Sequence, residues 1–133
     1  MTTAALTPLE EAIVARIAQE AAAQPAAAAI WVFGSRARGA STEYSDFDVA
    51  VEFSSAETPA LREWLAQVRR AAEEPVADEW PGFLDLVGLY AGDVDSRLAR
   101  QVFAGGMALW QRRAPQADPT SAAAPREVAL TRP

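Results

Sequence analysis

Cysteine, histidine and lysine are all missing from this 133-residue chain. Without cysteine there is no disulfide framework, no thiolate nucleophile and no zinc–thiolate site. Without histidine there is no imidazole base or ligand, which excludes serine-triad and histidine–metal hydrolases of the usual kind. All 12 basic residues are arginine, so Schiff-base and Walker-type lysine chemistry are excluded as well. The remaining catalytic alphabet is Asp, Glu, Ser, Thr, Tyr and Arg, which suits hard cations and phosphates. Long apolar runs are also lacking. The longest stretch without a charge, Ala21–Ser35, carries Pro25 and is mostly alanine, so no membrane span is expected. Glu10 and Glu11 interrupt any signal-peptide pattern at the N-terminus, and the expected location is the cytoplasm.

Hydrophobic residues make up 50% of the chain, but 31 residues are alanine, so large apolar side chains are few. One domain with a modest core is expected. The net charge of -6 argues against direct nucleic-acid binding. Residues 1–110 carry -8 and residues 111–133 carry +2.

Thr7-Pro8-Leu9-Glu10 reads as a helix start, with a Thr cap, proline in the first turn and a glutamate closing the capping box. Leu9, Ile13 and Ile17 continue it as an apolar stripe, and Gln24-Pro25 ends it. Ala29–Phe33 reads as a strand buried on both faces. Phe47, Val49 and Val51 alternate with Asp46, Asp48 and Glu52 in the period-two pattern of a second strand. Thr58-Pro59 opens a second amphipathic helix carrying Leu61, Trp64, Leu65 and Val68, ending near Glu74-Pro75. Phe83–Leu89 is a third strand, hydrophobic but for Asp85. Val94, Leu98 and Val102 mark a third helix stopped by Gly105-Gly106, and Met107–Trp110 a short fourth strand. The expected order is α-β-β-α-β-α-β, an α/β (α+β) domain over residues 1–112 with a small mixed sheet flanked by helices. Residues 113–133, rich in proline and alanine, read as a disordered or linker-like tail. The four tryptophans read as packing residues rather than base-stacking platforms.

The chemistry concentrates behind the first strand. Gly34 allows a tight turn and close approach of a ligand. Ser35 offers a hydroxyl and an N–H for a phosphate oxygen, and Ser35–Ala40 is expected to begin a helix whose first turn favours anions. Arg36 and Arg38 lie in that turn as candidate triphosphate contacts, with surface ion pairing as the competing role. Asp46 and Asp48, two apart on a strand, point the same way with Cα atoms about 6.5–7 Å apart. Carboxylates so placed repel unless a cation sits between them, as in two-metal phosphoryl-transfer sites. Asp85, the lone charge in its apolar strand, is expected to face the same cation from a neighbouring strand.

Phe33-Gly34-Ser35-Arg36-Ala37-Arg38-Gly39, Ser45-Asp46-Phe47-Asp48-Val49-Ala50-Val51 and Leu84-Asp85-Leu86-Val87 together resemble the nucleotidyltransferase superfamily that includes DNA polymerase beta, in its minimal nucleotidyltransferase branch. The resemblance covers about residues 5–112. It implies Mg2+ in a two-metal site, a nucleoside triphosphate (ATP in the first place), and transfer of a nucleoside monophosphate to a hydroxyl. Carried over by position, Gly34 and Ser35 hold the triphosphate, with Arg36 and Arg38 as softer contacts. Asp46 and Asp48 hold both metals; Asp85 holds the catalytic metal and helps deprotonate the acceptor. Larger members add a second domain for the acceptor, for which this chain has no room. Domains this small commonly accompany a helical HEPN partner as the antitoxin of a toxin–antitoxin pair, some by adenylylating it. The alternative is a non-catalytic module of the same fold that neutralises a partner by contact.

Overall fold

The computed structural model describes residues 6–38, 46–93 and 96–112. The tail expected at 113–133, and Val94 of the third amphipathic stripe, lie outside the described residues. The chain begins with α1 (Pro8–Ala22). Thr7 Oγ1 accepts the Glu10 N–H at 3.2 Å and Glu10 Oε1 accepts the Thr7 N–H at 3.0 Å, which is the capping box expected from sequence. β1 (Ala27–Phe33) follows, then a single helical turn, α2 (Ser35–Arg38), and β2 (Asp46–Phe53). α3 (Pro59–Glu73) starts at Thr58, whose hydroxyl accepts the Leu61 N–H. A 3-10 turn at Glu74–Val76 leads towards β3 (Phe83–Leu89). α4 (Arg97–Gly105), capped by Ser96, and β4 (Met107–Gln111) complete the order.

The four strands form one mixed sheet in the order β3-β2-β1-β4. β1 is antiparallel to both β2 and β4, whereas β2 and β3 run parallel. A parallel pair needs a crossover, and α3 supplies it. α1 and α3 cover one face of the sheet. Ile13, Ile17, Leu65 and Val68 pack there with Ile30, Val32, Phe47, Val49, Val51 and Leu84. The other face carries a smaller cluster, in which Ala99 and Val102 of α4 meet Phe33, Ala50 and Leu89. Among the described residues no helix is long and apolar enough to cross a membrane.

β3 departs from the sequence reading. Its apolar run made a lone carboxylate look costly to bury, but the strand lies at the sheet edge and Phe83 is 48% exposed. The run stays apolar because Leu84 faces the α1–α3 core, while Leu89 packs beneath α4.

Candidate functional site

Strand alternation separates the two kinds of side chain on β2. Phe47, Val49 and Val51 enter the larger core, so Asp46 and Asp48 project from the opposite face, the one that α4 covers only in part. β3 runs in parallel register with β2, pairing Asp46 with Phe83 and Asp48 with Asp85. Asp48 and Asp85 are therefore abreast on adjacent strands, on one face and at one end of the sheet. Asp46 is exposed, and Asp48 and Asp85 are half-buried. The cost of burying a lone carboxylate, which singled out Asp85 in the sequence, is thus smaller than expected at this edge. Register is what brings it beside Asp48.

The turn after β1 reaches the same end, because Phe33 pairs with Asp48. Gly34 has φ +72°, a left-handed conformation that favours glycine. A Cβ at this position would also run into the Asp48 carboxylate. The turn and the acid are in close contact, and Ser35 follows as the first residue of α2. Ser35–Arg38 form one helical turn, α2; Gly39 and Ala40 of the turn expected at Ser35–Ala40 lie outside the described residues. Arg36 and Arg38 both lie in α2, with their side chains outside the described part.

Among the described residues no three His, Cys, Asp or Glu side chains stand close enough to hold a metal ion as they are. Asp46, Asp48 and Asp85 share a face, an end and a register, and their all-oxygen donor set fits a hard divalent cation. The fit lies in chemistry and backbone placement.

Two neighbours of the acids were not visible in the sequence as such. Phe83 is the exposed strand partner of Asp46, and the Arg69 guanidinium lies 4.7 Å from its ring centroid. The only sequence signal was that residues 83 and 85 alternate onto one face. Glu52, further along β2, accepts a hydrogen bond from Trp31 Nε1 at 2.9 Å, an intrasheet role. The other tryptophans described in contact also pack, Trp80 against Phe47 and Trp64 against Phe53.

A family model described as polymerase beta, nucleotidyltransferase, matches residues 15–114. Among solved structures, a mutant of the toxin–antitoxin MntA-HpeT is 21% identical, with 75% of this chain and 72% of that chain covered and a TM-score of 0.50. A toxin–antitoxin structure with AMP-PNP is 22% identical over 76% of this chain and 73% of that one, with a TM-score of 0.49. No curated protein matches the chain at a comparable level.

Proposed function

This chain belongs to the polymerase beta nucleotidyltransferase family, and from that premise we propose that it transfers AMP from ATP, with Mg2+, to a hydroxyl on a partner protein. The observation that carries the reading is the abreast placement of Asp48 and Asp85, with Asp46 on the same face and the Gly34 turn against Asp48. Asp46, Asp48 and Asp85 would hold the metal, which when bound offsets their mutual repulsion and stabilises the attacking and leaving oxygens. The Ser35 hydroxyl and the backbone N–H groups of the turn after Gly34 orient the β- and γ-phosphates. Arg36 and Arg38 follow in α2 as supporting cations. The acceptor hydroxyl loses its proton to the Asp85 carboxylate as its oxygen bonds to the α-phosphorus. The bond from that phosphorus to the β-bridging oxygen breaks, and pyrophosphate leaves.

A partner fits this chain because positioning supplies much of the rate in phosphoryl transfer, and one small domain offers a single wall. The MntA-HpeT likeness, a toxin–antitoxin by its description, suggests the kind of partner: a HEPN-type toxin, with this chain as antitoxin.

Calorimetry and thermal unfolding test the reading. ATP with magnesium should bind and raise the melting temperature by ligand linkage, and ATP without magnesium should not. Asp48→Asn should keep the fold and lose that stabilisation. With labelled ATP, the protein encoded beside this one should become labelled on a hydroxyl. Tight binding to that neighbour with no label transferred, and unchanged by Asp46→Asn with Asp48→Asn, would support the non-catalytic module instead.

A further inference from the structure

Asp48 stands between the Gly34 turn and Asp85 at one end of the sheet. β1 and β3 flank β2, each about 4.8 Å from it. Phe33, which Gly34 follows, is the partner of Asp48 on one side, and Asp85 is its partner on the other. In the transferase reading above, on which this inference rests, pyrophosphate leaves against the Gly34 turn. The attacking and leaving oxygens stand roughly in line through the α-phosphorus. The acceptor hydroxyl must therefore arrive from the β3 side, past Asp85. Strand order thus decides which side chains can touch it.

Phe83 borders that approach. It is the strand partner of Asp46 and lies two positions before Asp85, so both Cβ atoms leave the same face of β3. Among the described residues, the exposed large apolar side chains are Phe83, Phe103 and Leu109. Phe103 belongs to α4, and Leu109 to β4 on the far side of β1. Phe83 stands next to the acids with 48% of its surface open. An exposed aromatic is ordinary by itself, but this one is propped. The Arg69 guanidinium lies over the ring, 4.7 Å from its centroid, within cation–π range. Glu73 steadies that arginine: Oε1 lies 3.4 Å from Arg69 Nε, while Oε2 accepts the Leu84 N–H at 3.2 Å. The link runs from the β3 backbone through Glu73 and Arg69 back to the ring beside Leu84.

We propose that Phe83 is the acceptor wall of the site: its propped ring packs against the apolar body that carries the attacking hydroxyl and holds that hydroxyl beside Asp85. The acceptor class this selects is a hydroxyl on an apolar or aromatic group. Arg69 is a positioning residue that acts through the ring. The single wall offered by the metal face thereby gains a second, made from this chain's own edge strand.

The kinetic test uses the full chain with magnesium, labelled ATP and the protein encoded beside this one. Phe83→Ala should lower kcat/KM for that protein about tenfold. Its magnesium–ATP affinity by calorimetry and its melting temperature should stay as in the wild type. Phe83→Leu, which keeps apolar bulk, should recover most of the loss. Arg69→Ala should cost less than Phe83→Ala, and nothing further when combined with it. Transfer that ignores Phe83→Ala overturns the proposal and keeps the transferase. A weakened magnesium–ATP affinity in Phe83→Ala assigns the ring to the nucleotide and also overturns it. No label transferred by the wild type overturns the transferase reading and this proposal with it. A small probe tests the wall without a partner. At millimolar concentration 2-phenylethanol, a hydroxyl on an apolar ring, should shift the NMR signals of Phe83 and Asp85, and ethanol should not. Equal shifts from the two alcohols, or none from either, overturn the proposal.

Discussion

A methyl group added at position 34 would meet two obstacles at once: a left-handed backbone at φ +72° and the Asp48 carboxylate. Strain of that kind costs about 1–3 kcal/mol. Gly34→Ala should therefore lower unfolding free energy by about that much in urea titrations and reduce magnesium–ATP binding more than the stability loss explains. The glycine itself was legible, as punctuation directly behind a strand, but its contact with Asp48 depends on pairing between β1 and β2. Tyr90 yields a prediction on pH. Burial first, then the Glu57 carboxylate and to a lesser degree that of Asp93, raise its pKa above the usual value of 10.0, and Arg62 opposes them. The folded chain thus holds the phenolic proton more tightly than the unfolded one. That stabilisation is complete below pH 10 and is lost as pH rises through the folded value. Tyr90→Phe should flatten the alkaline limb of a plot of stability against pH, leaving neutral pH nearly unaffected. Glu10 was legible only in part. Its capping role was written in Thr7-Pro8-Leu9-Glu10, whereas the bond it accepts from buried Trp80 Nε1 at 3.1 Å spans 70 residues.

At the scale of elements, α1 is held at both ends by different means. Its N-terminus is closed locally by Thr7 and Glu10. Its last carbonyls, which a helix leaves without internal partners, are taken by the guanidinium of Arg112, just beyond β4. Arg112 Nη2 donates to the Ala21 and Gln24 carbonyls at 2.9 Å, and Nε donates to Ala27 O at 2.9 Å. A cation at this end also suits the helix dipole. Arg112→Ala should cost about 2 kcal/mol in urea unfolding, given about 1 kcal/mol per hydrogen bond and partial replacement by water. Arg112→Lys should recover little, because an ammonium lacks the planar fork. Helix starts were the most legible features, since Thr7-Pro8 and Thr58-Pro59 state their caps within four residues. Arg112 was illegible, standing at the edge of an arginine pair with nothing local to show its partners.

For the molecule as a whole, the kinds and order of elements could be read from periodicity, but the arrangement β3-β2-β1-β4 could not. Alternation tells which side of a strand is buried and not which strand lies beside it. An apolar edge strand such as β3 therefore looks central in sequence. That limit also hid the register placing Asp85 next to Asp48, although the acids themselves stood out by their spacing. Since the four strands among the described residues are complete by Gln111, truncations should show a sharp boundary. A chain ending at Arg112 should melt within about 3 °C of the full chain, and one ending at Gln111 should melt about 5–10 °C lower, for a loss near 2 kcal/mol in a domain of this size. Scanning calorimetry of the two truncations checks this. The Arg112 staple also has a consequence in time. α1 is synthesised before the donor for its final carbonyls, which comes 90–91 residues later. At about 5–20 residues per second, roughly 5–20 s of translation separate the helix from its clamp. Throughout that interval the stripe of Ile13, Val14 and Ile17, buried in the folded chain, has no finished sheet to cover it.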